Sequence, residues 1–379
     1  MQTTLEDEKI ETLSNDNHVT KRTFEQSQLD AKALEYTNKV ILAPMVRVGT
    51  LPFRLLSLEY GADIVFSEEI IALKLRQSKM VHNKNVGTID FIKDGKESVF
   101  RTCHLDHPNI LQLGAADSVV ALQAAEMVSR YVDGIDLNMG CPKHFSIQGG
   151  MGAALLSKPQ TVKEVLSTLK RNLNNPVSCK IRLLDSIPET LDLLKIIDQT
   201  GVSAITIHTR HIAERPRDPA HWDWMKEITD LAKSCIRAPL IVNGDVFKHE
   251  DIQSVKEKTG ASSVMIARGA MWNASIFSST PAPIDDVIVN YLKKCVAVDN
   301  HFFNTKYVVM QMLQGLPKKH EKDEFVTRVK DLKTLCEGWN LQAVYEQHQE
   351  QLLQKHTEDS RETCYDTGSC DNTKKMKTG

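Results

Sequence analysis

The chain has 379 residues, with 47 Lys and Arg against 49 Asp and Glu, 13 His and 8 Cys, for a formal net charge of −2. A hydrophobic content of 41% supplies a sizeable core and excludes wholesale disorder. No stretch approaches the roughly 20 apolar residues of a spanning helix, and the near-neutral total gives no global nucleic-acid footprint, leaving room for a local basic groove.

The first residues, MQTTLEDEKIETLSNDN, are acidic and lack an apolar run. They predict neither a secretory leader nor an Arg-rich transit peptide. No CxxC pair occurs, so a reducing compartment is expected rather than a disulfide framework. Residues 1–37 are polar and read as a flexible extension, and residues 356–379 as a disordered polar tail.

Between these ends, short runs rich in β-branched residues recur. They are VILAPM (40–45), DIVFSE (63–68), NILQLGA (109–115), GIDLNMG (134–140), VSCKIRLL (177–184), AITIHTR (204–210), PLIVNGD (239–245) and SSVMIARG (262–269). Helical periodicity separates most of them, most clearly over 118–132, 161–173 and 188–201, the last closed by Gly201. Strand–helix alternation predicts a parallel sheet. Eight units over roughly 230 residues fit a (β/α)8 TIM barrel over 38–280, which typically needs about 250. An open doubly wound sheet would want a GxGxxG turn after its first strand, and LAPMVRVGTLP is not one. Cys103-His104-x-x-His107 has metal-ligand residue types but no second paired half, so it reads as a turn. After Pro281 and Pro283 the pattern becomes purely helical, which predicts a small helical bundle over 281–355.

Barrel chemistry sits at the C-terminal ends of the strands. Six of the eight runs place a polar residue there: Gln112, Asp136 with Asn138, Lys180 with Arg182, His208 with Arg210, Asn243 with Asp245, and Arg268. Residues two apart in a strand share a face. Parallel strands are normally near-continuous apolar runs, so converging cations predict an anionic or electron-rich ligand. The glycines of Asn243-Gly244-Asp245 and Ala267-Arg268-Gly269 suit a phosphate, which barrels commonly bind after strands seven and eight. Cys141 follows the fourth run in a Gly-rich loop, where a thiol is a candidate acid or nucleophile.

Taken together, LAPMVRVGTLPFR, DIVFSEE, QLGA, GIDLNMGCPKHFS with GGMGAALL, CKIR, ITIHTR, VNGD and VMIARGAMWN resemble the tRNA-dihydrouridine synthases. The likeness is closest to the eukaryotic branch that modifies position twenty of the D-loop in cytoplasmic tRNA, and covers about residues 38–345. It implies an FMN enzyme on a TIM barrel with a helical tRNA-binding domain, reduced by NADPH or NADH. By the same resemblance Pro44, Met45 and Val46 wrap the flavin, Gln112 meets its pyrimidine edge, and Lys180 offsets negative charge on it. His208 contacts the cofactor, while Asn243, Gly244, Asp245, Ala267 and Arg268 hold its phosphate end. Asn138 and Glu68 line the uracil pocket, and Cys141 is the general acid. The implied reaction sends a hydride from flavin N5 to C6 of uracil and a proton from Cys141 to C5. The target base must be flipped out of folded tRNA.

Two departures stand out. Asp245 replaces a second Gly of many relatives, and the double-stranded-RNA-binding domain common in animal members has no counterpart in the short tail. Grip on tRNA is therefore expected from the barrel and the helical domain, with Lys293, Lys294, Lys306, Lys318, Lys319 and Lys322 as candidates. A cytoplasmic monomer without membrane or obligate protein partner is expected. The rival readings are a flavin barrel acting on a free pyrimidine base, which would not need the helical domain, and a non-catalytic RNA-binding barrel, which would not need Cys141 or Lys180.

Overall fold

A computed structural model describes residues 34–366. The strands, in chain order, are β1 (Val40–Leu42), β2 (Ile64–Ile71), β3 (Lys79–Asn83), β4 (Thr88–Lys93), β5 (Glu97–Thr102), β6 (Asn109–Gly114), β7 (Gly134–Met139), β8 (Val177–Leu183), β9 (Ala204–His211), β10 (Leu240–Asn243) and β11 (Ser263–Ile266). Eight of them close a barrel in the order β1-β11-β10-β9-β8-β7-β6-β2, all parallel. These are the eight runs that the sequence singled out.

Two packed layers hold the barrel. Ile41, Ala43, Ile64, Phe66, Ile110, Ala204, Ile241 and Met265 form one buried cluster with Tyr36. The larger cluster lies between strands and helices and includes Leu137, Cys179 and Ile181 beside Val165, Leu166 and Leu169. Burial on both faces is why the strands read as continuous apolar runs. Tyr36 is 2% exposed, and its carbonyl accepts from Ser263 Oγ at 2.5 Å. The barrel unit therefore begins before residue 38, inside the expected extension. Residues 1–33 lie outside the described residues.

Two of the barrel helices begin on side-chain caps. Ser118–Val128 is capped by Asp117, whose carboxylate accepts from Val120 N at 2.8 Å. Ile187–Asp198 starts on Ser186, whose hydroxyl accepts from Glu189 N, and Gly201 follows its end at φ 77°.

The sequence reading had no place for β3, β4 and β5, which form a separate antiparallel sheet between β2 and β6. Its signal was the Asp94-Gly95 pair, both at positive φ, in the hairpin turn between β4 and β5. Asp90 anchors the sheet through Arg101, Thr88 and Asn83. Arg101 Nη1 also donates to Val298 O at 2.5 Å, which ties the insert to the helical region. Cys103 is buried with Leu51, Leu55 and Val298, and His107 Nδ1 lies 2.7 Å from Asp133. Packing and one hydrogen bond thus account for this pair in the turn.

The C-terminal region folds as helices Ile284–Ala297, Phe302–Gln314, Asp323–Arg328, Leu332–Glu337 and Gln342–Asp366. The last runs to Asp366, past the boundary expected at 355, and residues 367–379 lie outside the described residues. Tyr291 of the first is fully buried, with its ring edge-on to Phe53 of helix Leu51–Glu59 at 6.1 Å. The bundle therefore shares a core with the barrel.

Arg54 and Asp106 are both essentially unexposed. Arg54 donates to both Asp106 oxygens, to Gly49 O and to Arg101 O, so the cation is fully partnered. Asp106→Ala would leave a buried guanidinium without its counter-charge. It is expected to lower stability by about 3–5 kcal/mol, read by urea denaturation. A loss below about 1 kcal/mol would show that the site relaxes to admit water.

Candidate active site

The floor of the barrel mouth is a chain of hydrogen bonds built on Asp136. Strand pairing sets Gln112 opposite Asp136 and Asn138 opposite Lys180. Asp136 is fully buried and accepts from Gln112 Nε2 at 2.9 Å and Ser178 Oγ at 2.7 Å. Gln112 Oε1 then accepts from Asn138 Nδ2 at 3.1 Å. Asn138 Oδ1 accepts from Gly140 N and Cys141 N at 2.9 and 3.1 Å. A carboxylate in the barrel thereby fixes the backbone at Cys141. Burial raises the Asp136 carboxyl to about 6, against the pull of Gln112, Ser178 and Lys180.

One wall of the mouth is cationic. Lys180 and Arg182 come from β8, His208 and Arg210 from β9, and Arg268 follows β11. Arg182 donates to Gly140 O and His211 O, both at 2.8 Å, so it braces the Cys141 loop. Asp245, at φ 55°, lies between two of these cations. Its Oδ1 accepts from Arg210 Nη2 at 2.5 Å and Arg268 Nη2 at 2.6 Å, and its Oδ2 from Ala220 N at 2.7 Å. The Asp245 carboxylate is thus shared by two guanidiniums of the wall and offsets one of their two charges. His208 Nε2 lies 3.2 Å from Arg210 Nη1. Arginine can only donate, so this nitrogen accepts and the imidazole is neutral with its proton on Nδ1. Burial and the surrounding cations hold His208 well below its usual value, in agreement.

Lys180 keeps part of its surface open to the mouth. Among the described residues no hydrogen bond or salt bridge reaches its ammonium. Burial, and secondarily Arg182, lowers it to about 7, while Asp136 offsets part of the shift. Asn243 is committed to Met265 O at 2.8 Å. Gly244 has φ 139°, and a Cβ there would meet Thr209 Oγ1 at 2.9 Å, so only glycine fits. Arg268 lies over the Phe247 ring, which stacks on Trp272.

Cys141 is half-buried on the loop after β7. Its carbonyl accepts from Ala153 N at 3.0 Å, and Gly152 at φ 58° lets the loop fold back, since a Cβ there would lie 2.6 Å from that carbonyl. Burial, and then the charge of Glu69, push the thiol above its ordinary value. At neutral pH it carries its proton, which suits an acid better than a nucleophile. Glu69 escaped the sequence reading, which selected Glu68. Glu68 instead accepts from Arg47 N at 2.7 Å and shapes the loop carrying Pro44, Met45 and Val46. That loop turns on Met45 O, which accepts from Val48 N and Gly49 N, and Val46 is 40% exposed.

The helical bundle reaches the mouth through this same loop, where Arg47 lies 4.7 Å over the Tyr307 ring. Of the candidate lysines, Lys294 pairs with Glu59, Lys319 with Glu324 and Lys322 with Asp285. Lys306 donates to Thr327 O and Val329 O. Lys293 and Lys318 are exposed. Beyond the barrel rim, His211, Glu214 and His221 offer ligand atoms within 4.8 Å of one another. Both Glu214 oxygens are already used, by His211 N and His221 Nε2 at 2.6 Å each, so the group braces the loop after β9.

A parallel barrel with a cationic mouth and a protonated loop cysteine describes an enzyme class more than a single protein. The family model described as dihydrouridine synthase (Dus) matches residues 41–368. The tRNA-dihydrouridine(20) synthase [NAD(P)+] of Schizosaccharomyces pombe is 41% identical over 297 residues, covering 76% of this chain and 62% of the relative. The same-named protein of Saccharomyces cerevisiae is 38% identical over 301 residues, covering 74% and 78%. A mouse tRNA-dihydrouridine(20a/20b) synthase [NAD(P)+]-like protein is 31% identical over 290 residues, covering 75% and 83%. Among solved structures, a morphinone reductase mutant in complex with tetrahydroNAD aligns at TM-score 0.44 and 12% identity, over 65% of this chain and 87% of that one. The chain belongs to the dihydrouridine synthase family. It spans less than two thirds of the S. pombe relative's length. Among the described residues no helix is long and apolar enough to cross a membrane.

Lys180 gives a pH test of this electrostatic picture. Its pKa falls from the ordinary 10.5 to about 7 on folding. Between those values the unfolded chain keeps a proton that the folded chain releases, so its cost to stability fades as pH rises. In ligand-free protein, Lys180→Met is expected to exceed the parent in urea midpoint at pH 6, with the gap narrowing from pH 7 to 10. Parallel profiles would place the ammonium in bulk solvent.

Proposed function

We propose that the protein is a cytoplasmic tRNA-dihydrouridine synthase that reduces the C5=C6 bond of the uridine at position twenty of the D-loop. FMN is the proposed cofactor and NADPH or NADH the reductant. The observation that carries this reading is Cys141, held by Asn138 and Ala153 on the rim of a cationic barrel mouth in a chain of this family.

The residues fit an anionic flavin nucleotide. Lys180 has an ammonium without a hydrogen-bonded partner, beside Arg182, Arg210 and Arg268, while Asp245 is shared between two of these arginines. Lys180 would lie against the electron-rich ring, with Gln112 and neutral His208 as its further polar contacts. Pro44, Met45 and Val46 would border the ring. Arg268 and the backbone of Asn243, Gly244, Asp245 and Ala267 would hold the phosphate. Bound FMN supplies the hydride that C6 of the uracil receives.

The chain's own residues do the rest. Cys141 donates its S–H proton to C5 as charge develops there and on the O4 carbonyl. Asn138 holds the Cys141 backbone, and Asn138 and Glu68 are the proposed edges of the uracil pocket. When it carries its proton Lys180 favours negative charge in the mouth, and a bound anion would help it keep that proton. The bundle, joined to the mouth by Arg47 and Tyr307, offers the surface on which folded tRNA rests while the base is flipped in.

Cys141→Ala is expected to leave flavin content and NADPH oxidation intact, and to slow dihydrouridine formation by about 10²–10⁴-fold, measured in single turnover on tRNA lacking the modification. Parent-like rates would remove the proton-donor role.

A further inference from the structure

Glu68 and Glu69 are consecutive, so in a regular strand they would point to opposite faces. The pairing of β2 with β6 breaks register between Phe66 and Glu69, then resumes with Glu69 opposite Gln112. Such irregularities re-aim side chains. Glu68 ends on the backbone of Arg47, while Glu69 faces the loop after β7, beside the Cys141 thiol, Ser146 and Lys143. Space for its carboxylate comes from Gly114 on β6, where a Cβ would lie 2.7 Å from Glu69 Oε1.

Among the described residues no hydrogen-bond partner reaches the buried Glu69 Oε1 or Ser146 Oγ. The thiol and hydroxyl face the carboxylate without closing a short bond onto that oxygen. An unsatisfied buried oxygen is costly, and packing would be served as well by an apolar side chain. The charges facing Cys141 give the carboxylate a task. Lys180 and Arg182 on β8 interact favourably with the ionised form of Cys141. Glu69 opposes them from β2; burial raises its own carboxyl, and Cys141, Lys143 and Ser146 pull it back toward the ionised form.

We propose that Glu69 is a positioning residue for Cys141, whose carboxylate faces the thiol and keeps it in the S–H form against the cations of β8. The proposal rests on the function above, in which Cys141 is the proton donor. In each turnover the S–H bond breaks and a C5–H bond forms, and the thiolate regains its proton from water. The proton moves to a carbon base far stronger than a thiolate, so its presence on sulfur matters more than its acidity.

The test is alkylation of Cys141 by iodoacetamide as a function of pH, in the purified full-length flavoprotein, read by peptide mass spectrometry. Exposed Cys235 is the internal control. In the parent protein the Cys141 midpoint is expected above the free-cysteine value of about 8.5. In Glu69→Gln it moves to lower pH, with labelling at pH 7 faster by roughly threefold or more, Cys235 unchanged, and the alkaline limb of uracil reduction displaced the same way. Glu69→Asp, which keeps the charge, restores the midpoint toward the parent. A parent midpoint at or below that of free cysteine overturns the proposal even if the glutamine variant fails to fold, as does an unchanged midpoint in Glu69→Gln. Labelling needs no tRNA turnover. Parent-like reduction by Cys141→Ala would therefore refute the proton-donor reading separately, while the labelling still decides the coupling.

Discussion

The site depends on one buried carboxylate. Asp136 lies inside the barrel, fully covered, and accepts from Gln112 and Ser178. Gln112 passes that orientation to Asn138, and Asn138 to the backbone of Cys141. Each link uses a side chain on the inward face of a barrel strand, so the closure of the sheet itself sets the geometry. A long polar chain of this kind is worth making only when every member is satisfied, because a half-satisfied network costs more than an apolar core. Its product is a loop cysteine held in place at a mouth that otherwise carries cations.

Electrostatics then divides the mouth into two poles. Lys180, Arg182, Arg210 and Arg268 make one wall, and Asp245 is shared between two of these arginines. Glu69 makes the other pole, against Cys141. The first attracts an anionic, electron-rich ligand. The second adds to burial in raising the thiol above its ordinary value. The proposed hydride and proton transfers would therefore take place in separate environments of the mouth. The helical bundle belongs to the same construction, because Tyr291 is buried against Phe53 and Arg47 lies over Tyr307 beside the mouth.

Much of this was legible in the sequence, and the parts that were not share a cause. The eight strands announced themselves because burial on both faces makes them apolar throughout, and the inward polar residues stood out against that background. The sheet of β3, β4 and β5 lies outside the barrel; β3 is exposed, and the buried Ile89, Phe91, Val99 and Phe100 of β4 and β5 are interspersed with polar residues, so no continuous apolar run marks it. Only its Asp94-Gly95 turn marked it. Glu69 was hidden by a register break that no side-chain pattern encodes. Asp245 read as a departure beside a phosphate site, and its clamp between Arg210 and Arg268 needed coordinates. The lysines of the bundle looked free in sequence, yet four of six are tied to partners brought close by folding.

In the proposed reaction this mouth delivers a hydride and a proton to a uracil presented by folded tRNA. Anaerobic reoxidation tests it most directly. The purified protein is reduced with NADPH, mixed with tRNA lacking dihydrouridine or with free uracil, and followed by flavin absorbance. Fast reoxidation by the tRNA and none by free uracil is the predicted result. Reoxidation by free uracil alone, or a protein that shows no flavin absorbance at all, would contradict it.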